Sequence, residues 1–143
     1  MNNILRFLSM LLISIFMSTA PTSAQDLIKD KNNGMIIRVS EIEVYPEYLE
    51  EYLVYAKEVA KDSIKNEKNV VSIYPMVVIK NNNLIRILEI YKNQDAYQNH
   101  ISSPHFKKYK EGTLHMVKHL DLVDTYQLCP ENFNKIFKRA NID

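Results

Sequence analysis

The sequence predicts an α+β fold of order β-α-β-β-α-β, and three observations carry that expectation. Partly alternating apolar residues from Met35 to Val44 give way, after Tyr45-Pro46, to a helical period. Two apolar runs, Val70 to Ile79 and Leu84 to Tyr91, flank Asn81-Asn82-Asn83, which reads as a hairpin turn because asparagine tolerates positive φ better than most residues. A second helical stretch, broken at Pro104, leads into a last β-rich run from Leu120 to Leu128.

Residues 1–24 have the pattern of a signal peptide: Arg6, an apolar run from Phe7 to Met17, and Thr22-Ser23-Ala24 as a small-residue cleavage site. That run is about 11 residues long, against roughly 20 needed for a spanning helix. The expected product starts near Gln25, is periplasmic or secreted, and has no stable membrane insertion once the leader is gone. Residues 25–34 are polar, end in Asn32-Asn33-Gly34, and read as a flexible arm. The domain is expected over residues 35–129, with a tail at 130–143 that is helical through Phe133, Ile136 and Phe137.

Within the domain the first strand places Ile37, Val39, Glu41 and Glu43 on one side and Ile36, Arg38, Ser40, Ile42 and Val44 on the other. The first helix, Glu47 to about Asn66, carries its apolar stripe on Leu49, Tyr52, Leu53, Ala56, Val59, Ala60 and Ile64. Asn93 is an N-cap for a short helix over Gln94 to Ile101, and Pro104 opens a further helix to about His119. Together these elements make a ferredoxin-like sheet of four antiparallel strands with helices on one face. The middle strands are apolar on both sides, so the uncovered face is expected to pair with a second copy as a homodimer.

The predicted leader holds one of the 18 basic residues, Arg6, and none of the 17 acidic ones. The balance that remains, with no basic block, argues against nucleic acid as a partner. Cys129 is alone, which excludes an internal disulfide and a thiolate metal site; it reads as a small apolar residue at a strand end. His115 and His119 have helical metal-ligand spacing, but no acid or third histidine stands beside them, so no metal site is expected. With two glycines in the chain there is no phosphate-cradling loop, and no nucleotide or flavin is expected. The chemistry instead concentrates in Leu84 to Phe106, where Glu89 lies in an apolar strand and His100 and His105 follow, so that the three could meet over one sheet face.

Three segments carry a resemblance: Val44-Tyr45-Pro46 leading into Glu47-Tyr48-Leu49-Glu50-Glu51-Tyr52; Leu88-Glu89-Ile90-Tyr91 followed by Asp95-Ala96; and His100-Ile101-Ser102-Ser103-Pro104-His105-Phe106. Over about residues 36–128 the chain resembles the antibiotic biosynthesis monooxygenase superfamily, the dimeric α+β barrels that include quinol-monooxygenase-like members. The resemblance implies a cofactor-independent monooxygenase acting on a small aromatic or quinol-like molecule. Haem-degrading members are similar in outline but use Asn, Trp and His where this chain has Ser40, His100 and Lys110, and the chain has no Trp at all.

Such oxygenation needs a base for a hydroxyl proton and an apolar pocket for the resulting anion. His100 is the leading candidate base, since an unperturbed imidazole titrates at about 6.5, with Glu89 orienting it and His105 as a further candidate. Tyr74, Tyr91, Tyr109, Phe106 and Ser40 are the expected substrate-binding residues. Each has an ordinary structural reading: a hydrogen-bonding histidine, an ion-paired glutamate, and core packing for a chain with nine tyrosines. The rival reading is a non-catalytic binder of a small apolar ligand in the same pocket. An isomerase of a phosphorylated substrate would need a cationic cluster that is not evident.

Overall fold

The computed structural model describes residues 32–137; the predicted leader, residues 25–31 of the arm and residues 138–143 lie outside them. The four strands are β1 (Ile36–Val44), β2 (Val70–Val77), β3 (Leu84–Tyr91) and β4 (Val117–Asp124), paired antiparallel in the order β2-β3-β1-β4. This is the predicted ferredoxin-like order. Among the described residues no helix is long and apolar enough to cross a membrane.

A 3-10 turn at Pro46–Tyr48, opened by a proline that has no N–H to leave unpaired, delivers the chain into α1 (Leu49–Asn66). The buried stripe of α1 is Tyr52, Ala56, Val59 and Ser63, at helical spacing. Ser63 takes the place predicted for Ile64: its hydroxyl returns to the Val59 carbonyl at 2.7 Å, which satisfies it without water, while Ile64 turns outward. Asn93 caps α2 (Gln94–Ser102) by accepting from the Ala96 N–H at 2.9 Å. Ser103 does the same for Phe106 at the head of α3 (Pro104–Thr113).

Several predicted boundaries move. β2 stops at Val77, and the Val78–Asn83 loop closes through Val78 N–H donating to Leu84 O (2.9 Å) and Asn81 N–H donating to Val78 O (3.1 Å). No asparagine of this loop has positive φ; Asn81 instead accepts the Asn83 N–H on its side chain at 3.2 Å. α3 ends at Thr113 rather than His119, and β4 begins at Val117 rather than Leu120 and ends at Asp124 rather than Leu128. The open edge of β1 is the cause. Its backbone groups need partners, and the chain supplies them from Met116 onward, with Tyr45 N–H donating to Met116 O at 2.9 Å and Val44 opposite Val117. The predicted helical pair His115 and His119 is therefore split between a turn and a strand, and Cys129 lies exposed beyond the strand. In the described part of the tail, residues 130–137, the helical elements are a 3-10 turn at Pro130–Asn132 and α4 (Phe133–Ile136).

The helices cover one sheet face, and the core between them holds Ile42, Val44, Ile85, Ile87 and Tyr91 from the sheet against Tyr52 and Ala56 of α1 and Ala96 of α2. At about 1.5–3 kcal/mol per fully buried large side chain, this layer is the main source of stability. Gly112 lets α3 approach α1: a Cβ there would stand 2.5 Å from the Tyr55 ring. On the opposite face one row crosses all four strands, Tyr74–Leu88–Val39–Val123. Tyr74 is 62% exposed, so it is a residue of this open face. At the start of the described chain, Asn32 donates to Thr125 O (2.8 Å) and accepts from Gln127 N–H (3.0 Å), pinning the Asn32–Gly34 turn to the segment after β4.

Candidate functional site

Between the helix-covered face and α2 and α3 lies a cavity of about 440 Å³. Its floor is Ser40 and Ile42 of β1 with Ile87, Glu89 and Tyr91 of β3; its roof is Tyr97, Ile101, Phe106 and Tyr109; Leu120 and Leu122 extend it along β4. These sheet residues share one face because the register sets Ser40 opposite both Ile87 and Leu122. Arg38, Lys110 and Glu89 are the charged side chains in a lining that is otherwise mainly apolar or aromatic.

Glu89 holds the centre of the floor. Ser40 donates its hydroxyl to Oε1 in a short hydrogen bond, and Tyr91 donates to Oε2 at 2.8 Å. A carboxylate has about four acceptor sites, so two such bonds leave capacity for a ligand hydroxyl. Burial first, then the negative Glu89, holds the Tyr91 hydroxyl well above the ordinary tyrosine range, which keeps it a donor. Tyr109 in the roof is pushed up to about 12, chiefly by burial, and its hydroxyl meets that of Tyr52 at 2.5 Å. Arg38 packs its guanidinium 5.1 Å from the Tyr97 ring centroid and donates Nε to Asp124 at 2.7 Å; that hydrogen bond is the largest cause holding it above its ordinary range.

The predicted meeting of Glu89 with His100 and His105 does not occur. His100 is 2% exposed and His105 sits in the first turn of α3, and neither lines the cavity. Glu67 Oε1 accepts hydrogen bonds from both His100 Nδ1 and His105 Nε2, at 2.8 and 2.6 Å. The Tyr91 and Phe106 rings pack on the His100 ring at centroid distances of 5.3 and 4.8 Å. His100 is thus a wall residue behind the cavity, whereas Ser40, Tyr91, Phe106 and Tyr109 line it as expected. Tyr74 lies on the other side of the sheet, because its partner in the register is Leu88 and not Glu89.

Sequence reasoning missed Glu67, Arg38, Tyr97 and Lys110. Arg38 was visible on the Ser40 side of β1, and the period of α2 that brings Ile101 to the cavity also brings Tyr97, four residues earlier. Glu67 had no such signal: it follows the last residue of α1, 33 positions from His100. Among the described residues, Glu67, His100 and His105 are the cluster whose donor atoms could hold a metal.

The antibiotic biosynthesis monooxygenase family model matches residues 35–112. A crystal structure of a candidate antibiotic biosynthesis monooxygenase from Bacteroides thetaiotaomicron is 44% identical, with a TM-score of 0.67 over 68% of this chain and 92% of that one. A candidate monooxygenase from Lactobacillus acidophilus is 29% identical at a TM-score of 0.63, over 66% of this chain but 44% of its own longer chain. A candidate antibiotic biosynthesis monooxygenase from Nitrosomonas europaea, 14% identical at a TM-score of 0.63 over 68% of this chain and 93% of that one, shares the fold. No curated protein matches the chain.

Proposed function

The chain belongs to the antibiotic biosynthesis monooxygenase family, and from that premise we propose that it is an exported, dimeric, cofactor-independent monooxygenase of a small aromatic or quinol-type substrate. Glu89 at the floor of an apolar cavity is the observation that carries this reading. A quinol ring fits a space of about 440 Å³, with Phe106 and Tyr109 above it and a hydroxyl directed at Glu89.

Glu89 then replaces His100 as the base. It takes the hydroxyl proton, and the electron-rich anion passes electrons to oxygen beside the apolar walls of the cavity. One oxygen atom enters the ring; the other takes two hydrogens and leaves as water. The substrate supplies all four electrons, so the reaction needs no outside reductant. Ser40 and Tyr91 hold the carboxylate in place, and Lys110 and Arg38 add positive charge to the lining, which favours an anionic ring.

Family members are generally small-molecule-binding dimers, and the apolar row on the face opposite the helices, exposed at Tyr74 and Val123 and half-buried at Leu88 and Val39, supports pairing here. Among the described residues, the half-exposed Leu120 and Leu122 leave the cavity open along β4. The direct test is oxygen uptake by the purified protein with a panel of quinols, metal chelator present and a no-protein control subtracted, followed by product mass. A product heavier than the quinol by one oxygen and lighter by two hydrogens supports the reading. Ligand retention with no uptake above control moves it to a binding protein.

A further inference from the structure

We propose that Glu67, His100 and His105 form a binding site for one divalent transition-metal ion of the zinc class. The three come from separate elements: Glu67 closes the C-terminus of α1, His100 lies on α2, and His105 lies in the first turn of α3. Their donor atoms, Glu67 Oε1, His100 Nδ1 and His105 Nε2, lie within 4.8 Å of one another.

The geometry is close to what a metal requires. Bonds of about 2.0–2.2 Å from zinc to histidine nitrogen and carboxylate oxygen, in tetrahedral arrangement, put neighbouring donors roughly 3.3–3.6 Å apart. The oxygen here is 2.8 Å from one imidazole and 2.6 Å from the other, so each contact opens by about half to one ångström, while the two nitrogens stay within 4.8 Å of each other, as the ion takes the place of the hydrogen-bond protons. Two imidazoles and a carboxylate select borderline ions such as zinc over calcium or magnesium, which prefer all-oxygen shells. Three protein ligands leave a fourth position for water or an outside ligand.

Burial and access both fit. The side chains of Glu67 and His105 are each 14% exposed and that of His100 is 3% exposed, so the cluster is held in place yet reachable. Tyr91 and Phe106 pack on the His100 ring and fix its orientation. His105 also borders a cleft of about 10 Å³, room for roughly one water molecule, rimmed by Glu58 and Asp62. Glu58 is paired with Lys108 there; Asp62 adds a further carboxylate along the approach for a cation. None of the three ligands lines the large cavity, so this site does not rest on the monooxygenase reading.

The test is zinc competition against a chromophoric chelator, with untagged, chelator-stripped protein. The expected result is one zinc per chain with a Kd of about 10 µM or tighter, accompanied by proton release. Glu67→Gln and His105→Ala should each weaken it at least about tenfold, while the double variant His115→Ala/His119→Ala leaves it unchanged. Circular dichroism checks each fold. Should the ligand variants not fold, cobalt(II) added to the wild type decides: visible bands of imidazole-bound cobalt with shifted ring protons of two histidines support the site, and the spectrum of aqueous cobalt overturns it. Zinc uptake that survives Glu67→Gln, or that disappears with His115 and His119, also overturns it.

Discussion

Tyr91 donates its hydroxyl to Glu89 at 2.8 Å, two places back along the same strand, while its ring packs at a tilt against His100, with centroids 5.3 Å apart. One side chain thereby separates two groups that the sequence placed together. Glu89 faces the cavity, and His100 is left to Glu67.

Kinetic ranking follows from that separation. Glu89→Gln keeps the shape and removes the base, so quinol-dependent oxygen uptake should fall by about 10²–10⁴ with ligand affinity changed only a few-fold. His100→Ala should act on stability instead, costing about 1–3 kcal/mol in urea unfolding because Glu67 loses a buried hydrogen-bond partner. The reverse ranking, with full activity in Glu89→Gln, would restore His100 as the base.

Tyr74→Glu tests the dimer without disturbing the core, since the side chain already faces outward. Sedimentation should show the wild type as a dimer at micromolar concentration and the variant as a folded monomer. A monomeric wild type would remove the argument from the apolar row. Val77→Glu would not serve, because Val77 is opposite Ile85 on the helix side.

Gly112→Ala should cost about 1–3 kcal/mol through overpacking against Tyr55. In a Tyr55→Ala background the same change should be neutral or gain up to about 1 kcal/mol from helix propensity. Equal effects of Gly112→Ala in both backgrounds would show that the close approach of α1 and α3 is not what selects glycine.

Alkaline pH should destabilise the fold. Burial is the first cause raising Tyr52, Tyr91 and Tyr109 above the ordinary tyrosine value of 10.0, Tyr109 to about 12. The native state therefore holds protons that the unfolded chain releases, and their contribution is complete below about pH 10 and is lost as pH rises through 12 and beyond. Urea midpoints measured from pH 8 to 12 should be flat and then fall. A midpoint that rises over that window would contradict the buried, protonated tyrosines.

Export is tested at the N-terminus. Protein recovered from the cell envelope should begin at or very near Gln25, after Thr22-Ser23-Ala24. Envelope protein that begins at Met1 would exclude cleavage there.

Periodicity and caps were enough for the element order, the Asn93 and Pro104 helix starts and the cavity side of β1 and β3, because those are local properties of the chain. A one-residue alternation already places Ser40 with Ile42, and Glu89 with Ile87 and Tyr91. The last strand and the histidines were different. Where α3 stops depends on the unpaired edge of β1, 70-odd residues earlier, whose backbone groups recruit Met116 and Val117 into the sheet. Which carboxylate meets His100 depends on how the end of α1 is set down beside α2 and α3, a matter of packing that brings Glu67 across 33 positions to both histidines. Local sequence could say that an acid and two histidines were near a sheet. Only the tertiary structure could say that there were two acids, one for the cavity and one for the histidines.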